Sequence, residues 1–86
     1  MEQGDMVERL LLRVVRSLVD TPKNVAVECL SGNGGTTYRI QVADAEVGQV
    51  IGKQGRIARS LRTIVAAVAM KEKRRITLDI ERHHEG

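Results

Sequence analysis

Residues 50–56 read VIGKQGR: two glycines three positions apart, a lysine and a glutamine between them, and an arginine directly after. Glycine at 52 and 55 permits backbone angles that other residues resist, and leaves no side chain to hold a ligand's backbone away. Lys53 puts a mobile cation at the tip, and Gln54 adds a neutral hydrogen-bonding group. A helix beginning after Gly55 would add first-turn N–H groups and a dipole that favours an anion. The chemistry suited to this set is a grip on a sugar-phosphate chain, with no bond made or broken.

Other phosphate-binding readings fail on spacing. A Walker-type loop needs four residues between its first glycine and the Gly-Lys pair, then Ser or Thr for magnesium. Here Gly48 and Gly52 have three residues between them, and Gln54 follows Lys53. A dinucleotide fingerprint needs a third glycine and a preceding strand, so no nucleotide cofactor is expected. His83 and His84 are adjacent and lack the spaced ligand set of a zinc site. Cys29 alternates with valines and reads as a small core residue. No acid–base pair stands in a defensible position, so neither catalysis nor metal binding is expected.

The bend must be positioned by flanking elements. Before it, Asp44 reads as the N-cap of a short helix through Ile51, with Glu46 in its first turn. After it, a longer helix runs to about Met70. At about 100° per residue, Ile57, Ala58, Leu61, Ile64, Val65 and Val68 share one arc, and Arg56, Arg59 and Arg62 lie opposite. Burying the apolar arc aims the arginines outward, beginning beside the loop. Arg56 carries the strongest functional reading, then Arg59, while Arg62 is the most remote from the bend.

Further out, Val7, Leu10, Leu11, Val14, Val15 and Leu18 mark one face of a helix over about 5–19, with Asp5 as N-cap and Pro22 as stop. Leu12 lies off that stripe and Val19 at its margin; both read as scattered surface residues rather than a partner surface. Val25, Val27 and Cys29, then Tyr38, Ile40 and Val42, alternate as two strands joined by the hairpin loop SGNGG. Ile76, Leu78 and Ile80 alternate in a last strand. The order α-β-β-α-α-β predicts an α+β fold with helices on one apolar sheet face. The chain is read as one domain, residues 1–86, with its core over about 5–81 and RHHEG, 82–86, as a flexible tail.

Composition narrows the partners. The chain has 86 residues, 42% apolar, enough for a real core. Tyr38 is the only aromatic, so the aromatic sheet platforms of some RNA-binding folds are missing. A net charge of +3 fits nucleic acid or an acidic partner. One cysteine forms no internal disulfide, and an N-terminus with Glu2 and Asp5 and no long apolar run predicts a cytosolic protein without a membrane segment.

VGQVIGKQGR within this element order resembles the KH domain, with its V-I-G-x-x-G signature, in the type II arrangement. Over nearly the whole length, and especially in DAEVGQVIGKQGRIARSLRTIVAA, the chain is similar to the small free-standing bacterial KH proteins of the KhpA (YlqC) family. The resemblance implies a groove beside the loop taking about four nucleotides of single-stranded RNA. By position, Gly52, Lys53, Gln54 and Gly55 would clamp the backbone, with Arg56 reinforcing the phosphate side and Arg59 behind it. Val47, Val50 and Ile51 would floor the groove; for Val47 and Val50, ordinary core is an equally good reading.

Such a grip is weak. About three neutralised phosphates give a salt slope of only about −2, and no stacking platform adds to it. Useful affinity then needs a second module, by homodimerisation or pairing with a larger KH-containing RNA-binding protein, and the resemblance implies both. It also implies an RNA chaperone or post-transcriptional regulator. The alternative is a protein-interaction adaptor of KH fold whose RNA affinity is incidental.

Overall fold

The helical period of the N-terminal segment is realised as α1, Met6–Leu18, capped by Asp5, whose carboxylate accepts the Glu8 amide at 2.8 Å. The computed structural model describes residues 5–32 and 34–83. After a 3-10 turn at Pro22–Asn24 come β1 (Ala26–Gly32), β2 (Gly35–Ala43), a 3-10 turn at Asp44–Glu46, α2 (Val47–Ile51), α3 (Arg56–Glu72) and β3 (Ile76–His83). The sheet order is β1-β2-β3, with β1 antiparallel and β3 parallel to the central β2. A parallel pair needs a long crossover, and α2 with α3 supplies it. This is the expected α-β-β-α-α-β order of an α+β fold.

The core gathers Val7, Leu11 and Val15 of α1, Leu61 and Val65 of α3, Val50 of α2, and Tyr38, Ile40, Val42 and Leu78 of the sheet. Strand alternation sends Glu28, Arg39 and Glu81 to the other face, where Arg39 pairs with Glu28 at 3.5 Å and Glu81 at 3.1 Å. That open face carries no aromatic, because Tyr38 points into the core and is fully buried.

Several expectations change with packing. Val19 is buried because the chain leaves the helix there in extended geometry, φ −108° and ψ 162°, where a helical angle no longer describes it. Leu10 and Ile64 lie at the edges of their apolar arcs and are exposed. Leu12 is partly buried and packs against the core. Cys29, expected inside, is exposed: it pairs with Tyr38, but on the outer strand. Asp44 caps nothing and instead pairs with Arg82 at 3.0 Å. β3 runs on through Arg82 and His83, opposite Val42 and Ala43, so these two residues, expected in a flexible tail, belong to the sheet; residues 84–86, His84 among them, lie outside the described residues.

Glu46, expected as a helix-dipole partner, is buried and accepts the Thr21 N–H at 2.9 Å and the Thr21 hydroxyl at 2.8 Å. A carboxylate with two such donors ties the end of α1 to the start of α2. Hydrogen bonds to a charged group contribute about 1.5–3 kcal/mol, so this strap holds the helix that leads into the glycine bend.

At the opposite end, the Tyr38 hydroxyl donates to the Asp5 carboxylate, and Arg74 donates to the Tyr38 hydroxyl oxygen at 3.5 Å. Burial, then the bond to Asp5, pushes the Tyr38 hydroxyl up to about 12, against about 10 for an unperturbed tyrosine. The folded state therefore holds this proton more tightly than the unfolded state. Its contribution to stability is complete below pH about 10 and is lost as pH rises toward about 12. Tyr38→Phe is expected to cost about 1 kcal/mol at neutral pH and to flatten this alkaline limb. Urea titrations across that range check it, and a limb as steep in Tyr38→Phe as in the wild type would contradict the assignment.

Candidate nucleic-acid interface

The bend is built from glycine geometry. α2 ends as the Gly52 N–H donates to the Gly48 carbonyl at 2.9 Å, and Gly52 adopts φ 81°, ψ 170°, a region almost exclusive to glycine. A single tight turn follows, closed by the Gly55 N–H on the Gly52 carbonyl at 3.1 Å. Gln54 (φ 57°, ψ 24°) and Gly55 (φ 74°, ψ 17°) are both left-handed. α3 then starts with no side-chain cap. The Arg56 N–H is taken by the Lys53 carbonyl, and the glycine at the N-cap offers the following first-turn amides no side-chain acceptor.

The two glycines do different work. A Cβ at Gly52 would lie 2.7 Å from Ile57 Cγ1, whereas one at Gly55 would meet nothing within 4 Å. Gly52 is bare so that the loop can close on α3. Gly55 is bare on the side that opens outward.

Beside the bend lies a groove of about 590 Å³. Ala58, Arg59, Arg62, Thr63 and Ala66 form its α3 wall, Ile80 of β3 the opposite wall, and Ile51 and Gly55 its upper end. Among the described residues, no carboxylate lines it. Lys53, Gln54 and Arg56 are exposed at the rim, with Arg56 donating to the Gln54 side-chain oxygen at 3.3 Å. An anionic backbone at the rim and apolar ring faces against Ile51, Ala58, Ala66 and Ile80 are what this shape and charge accommodate. Among the described residues, no three His, Cys, Asp or Glu side chains come together as a metal site, and no helix is long and apolar enough to cross a membrane.

Of the residues singled out in the sequence, Ile51, Gly55 and Arg59 line the groove, and Gly52, Lys53, Gln54 and Arg56 form or border the bend. Val50 does not reach it: its exposure is 0%, so it supports the groove from beneath. Val47 is half-buried and packs on the core. Arg62, read as the most remote arginine, turns along the groove and donates to the Leu78 carbonyl at 3.1 Å, on the outer edge of β3. Ala58, Thr63, Ala66 and Ile80 were not singled out as site residues. Small and apolar types signal no chemistry, and only the packing of α3 against β3 gathers them.

The model of the family described as KhpA/KhpB, KH domain, matches residues 8–80. An RNA-binding protein KhpA of Clostridium acetobutylicum is 40% identical over 74 residues, 86% of this chain and 99% of that protein. Relatives of the same name from Treponema pallidum and Borreliella burgdorferi are 44% and 39% identical, over 87% and 92% of this chain and 94% and 95% of theirs. The mixed three-stranded sheet, the helix pair and the G-x-x-G bend agree with the type II arrangement expected from the sequence. The chain belongs to the KhpA/KhpB family of KH-domain proteins.

Proposed function

We propose that this protein binds single-stranded RNA without catalysing a reaction, holding the strand's backbone at Gly52, Lys53, Gln54 and Gly55 and its bases against the aliphatic groove. The observation that carries this reading is the open side of Gly55, where nothing beyond the adjoining chain stands within 4 Å of the missing Cβ, beside a cationic groove lined by no carboxylate of the described residues. The RNA-binding names of the relatives support the same class of ligand. Arg56 and Arg59 reinforce the phosphate side. Ile51 meets the bases directly, with Val47 and Val50 beneath as its support.

With so few phosphate contacts, the protein acts as one module of an assembly, a homodimer or a complex with a larger KH-containing protein in the cytoplasm, where a second site raises effective concentration. An RNA-chaperone or post-transcriptional regulatory role fits a weak grip of broad sequence tolerance. Titration of the 15N-labelled protein with a short single-stranded RNA tests the reading. Shifts are expected at residues 51–56, 59 and 62, with a log–log salt slope of about −2. Shifts confined to the open sheet face, or none in dilute buffer, would overturn it.

A further inference from the structure

The depression beside the GKQG bend continues past Arg62. A second one, about 220 Å³, lies between Arg62, Val65 and Ala66 of α3 and Ile76, Thr77 and Leu78 of β3. A third, about 490 Å³, begins at Ala66 and Ile76 and ends at Lys73, Arg74 and Arg75. Ala66 borders all three, so they form one seam. From Arg62 to Lys73 it follows α3 for about three turns, roughly 16 Å.

Three features of the seam match a polynucleotide strand. Alanines at 58, 66 and 69 keep it open along the helix. β3 is the outer strand, and an outer strand offers unpaired N–H and C=O groups; Arg62 already uses one of them at Leu78. Its charge is one-signed, since no Asp or Glu among the described residues lines any of the three depressions. Arg74 is engaged by Glu72, Thr36 and Tyr38, but Lys73 and Arg75 are exposed and make no ion pair among the described residues. Lys73 sits at the left-handed end of α3, φ 56°, beside Met70, which is 81% exposed. The carboxylates Glu28 and Glu81 lie on the opposite face of the sheet, around Arg39.

We infer that the α3–β3 seam extends the RNA track, so that a strand held at the bend continues past Arg62 and places two further phosphates against Lys73 and Arg75. This inference rests on the RNA reading of the bend. Single-stranded RNAs of about four and about nine nucleotides, titrated across a salt series, test it. About five neutralised phosphates instead of three give the longer RNA a slope of about −3.5, against about −2 for the shorter. Lys73→Gln with Arg75→Gln is expected to return the longer RNA to about −2 and leave the shorter unaffected, which also reports an intact fold. Equal slopes for the two RNAs, or a steep slope that survives both glutamines, would end the track at Arg62. If Lys53→Asp with Gln54→Asp binds both RNAs as well as the wild type, the bend itself is misassigned and the extension falls with it.

Discussion

Lys53→Asp combined with Gln54→Asp is expected to lower RNA affinity a hundredfold or more while the melting temperature moves by only a degree or two. Both side chains are exposed, and neither belongs to the core cluster. Gln54 already stands in left-handed geometry, φ 57°, and aspartate is among the few non-glycine residues enriched there. The substitution therefore asks nothing new of the backbone. At the ligand it replaces one cation and one neutral donor by two anions. Losing a charge-assisted bond and adding repulsion amounts to about 3 kcal/mol, or about two powers of ten in affinity. Anisotropy titrations paired with thermal melts check both halves. Retained affinity would remove the phosphate grip from this loop, and a large fall in melting temperature would make the loss of binding uninterpretable as a contact effect.

Gly52→Ala and Gly55→Ala are expected to separate, although the motif treats the two glycines alike. Gly52 combines φ 81°, ψ 170° with a Cβ position 2.7 Å from Ile57 Cγ1 and 3.0 Å from Ile57 Cβ. Ile57 is β-branched, stiff and packed against the core, so it has little room to yield. Strain in that backbone region and overpacking add to about 3 kcal/mol, a fall of about 15 °C in a domain of this size. Gly55 meets no neighbour and pays only the left-handed penalty, about 1–2 kcal/mol. Its methyl group would instead stand where the strand is proposed to pass. Gly55→Ala should thus lose binding out of proportion to stability, and Gly52→Ala the reverse. Ile57→Ala should soften the effect of Gly52→Ala, because the clash partner is gone. Equal melting temperatures for the two glycine variants would contradict this division.

The parts of the fold legible in the sequence are those set by local geometry. Val7, Leu11 and Val15 follow the helical period into the core, and Tyr38, Ile40 and Val42 follow the strand period. The G-x-x-G bend was readable because backbone geometry of this kind leaves its mark in residue type. What escaped depended on which elements meet. A helical angle orients Arg62 about its own axis but cannot say that the outer edge of a parallel strand lies there to receive it. Glu46 carries an ordinary first-turn carboxylate signal, and its burial depends on Thr21, 25 positions earlier. Cys29 alternates correctly, yet alternation says nothing of how far the helices cover an outer strand.

The parallel partnership of β2 and β3 carries a consequence for how the molecule comes into being. One wall of the groove, Ile80, stands on β3, while the bend and the α3 wall precede it in the chain. Ile40 and Ile80, partners in the β2–β3 pair, come from distant parts of the sequence, and pairing at such separation is slow to form during folding. A folding chain thus holds GKQG beside a half-built cleft, and the second wall stands only once β3 has joined the free edge of β2.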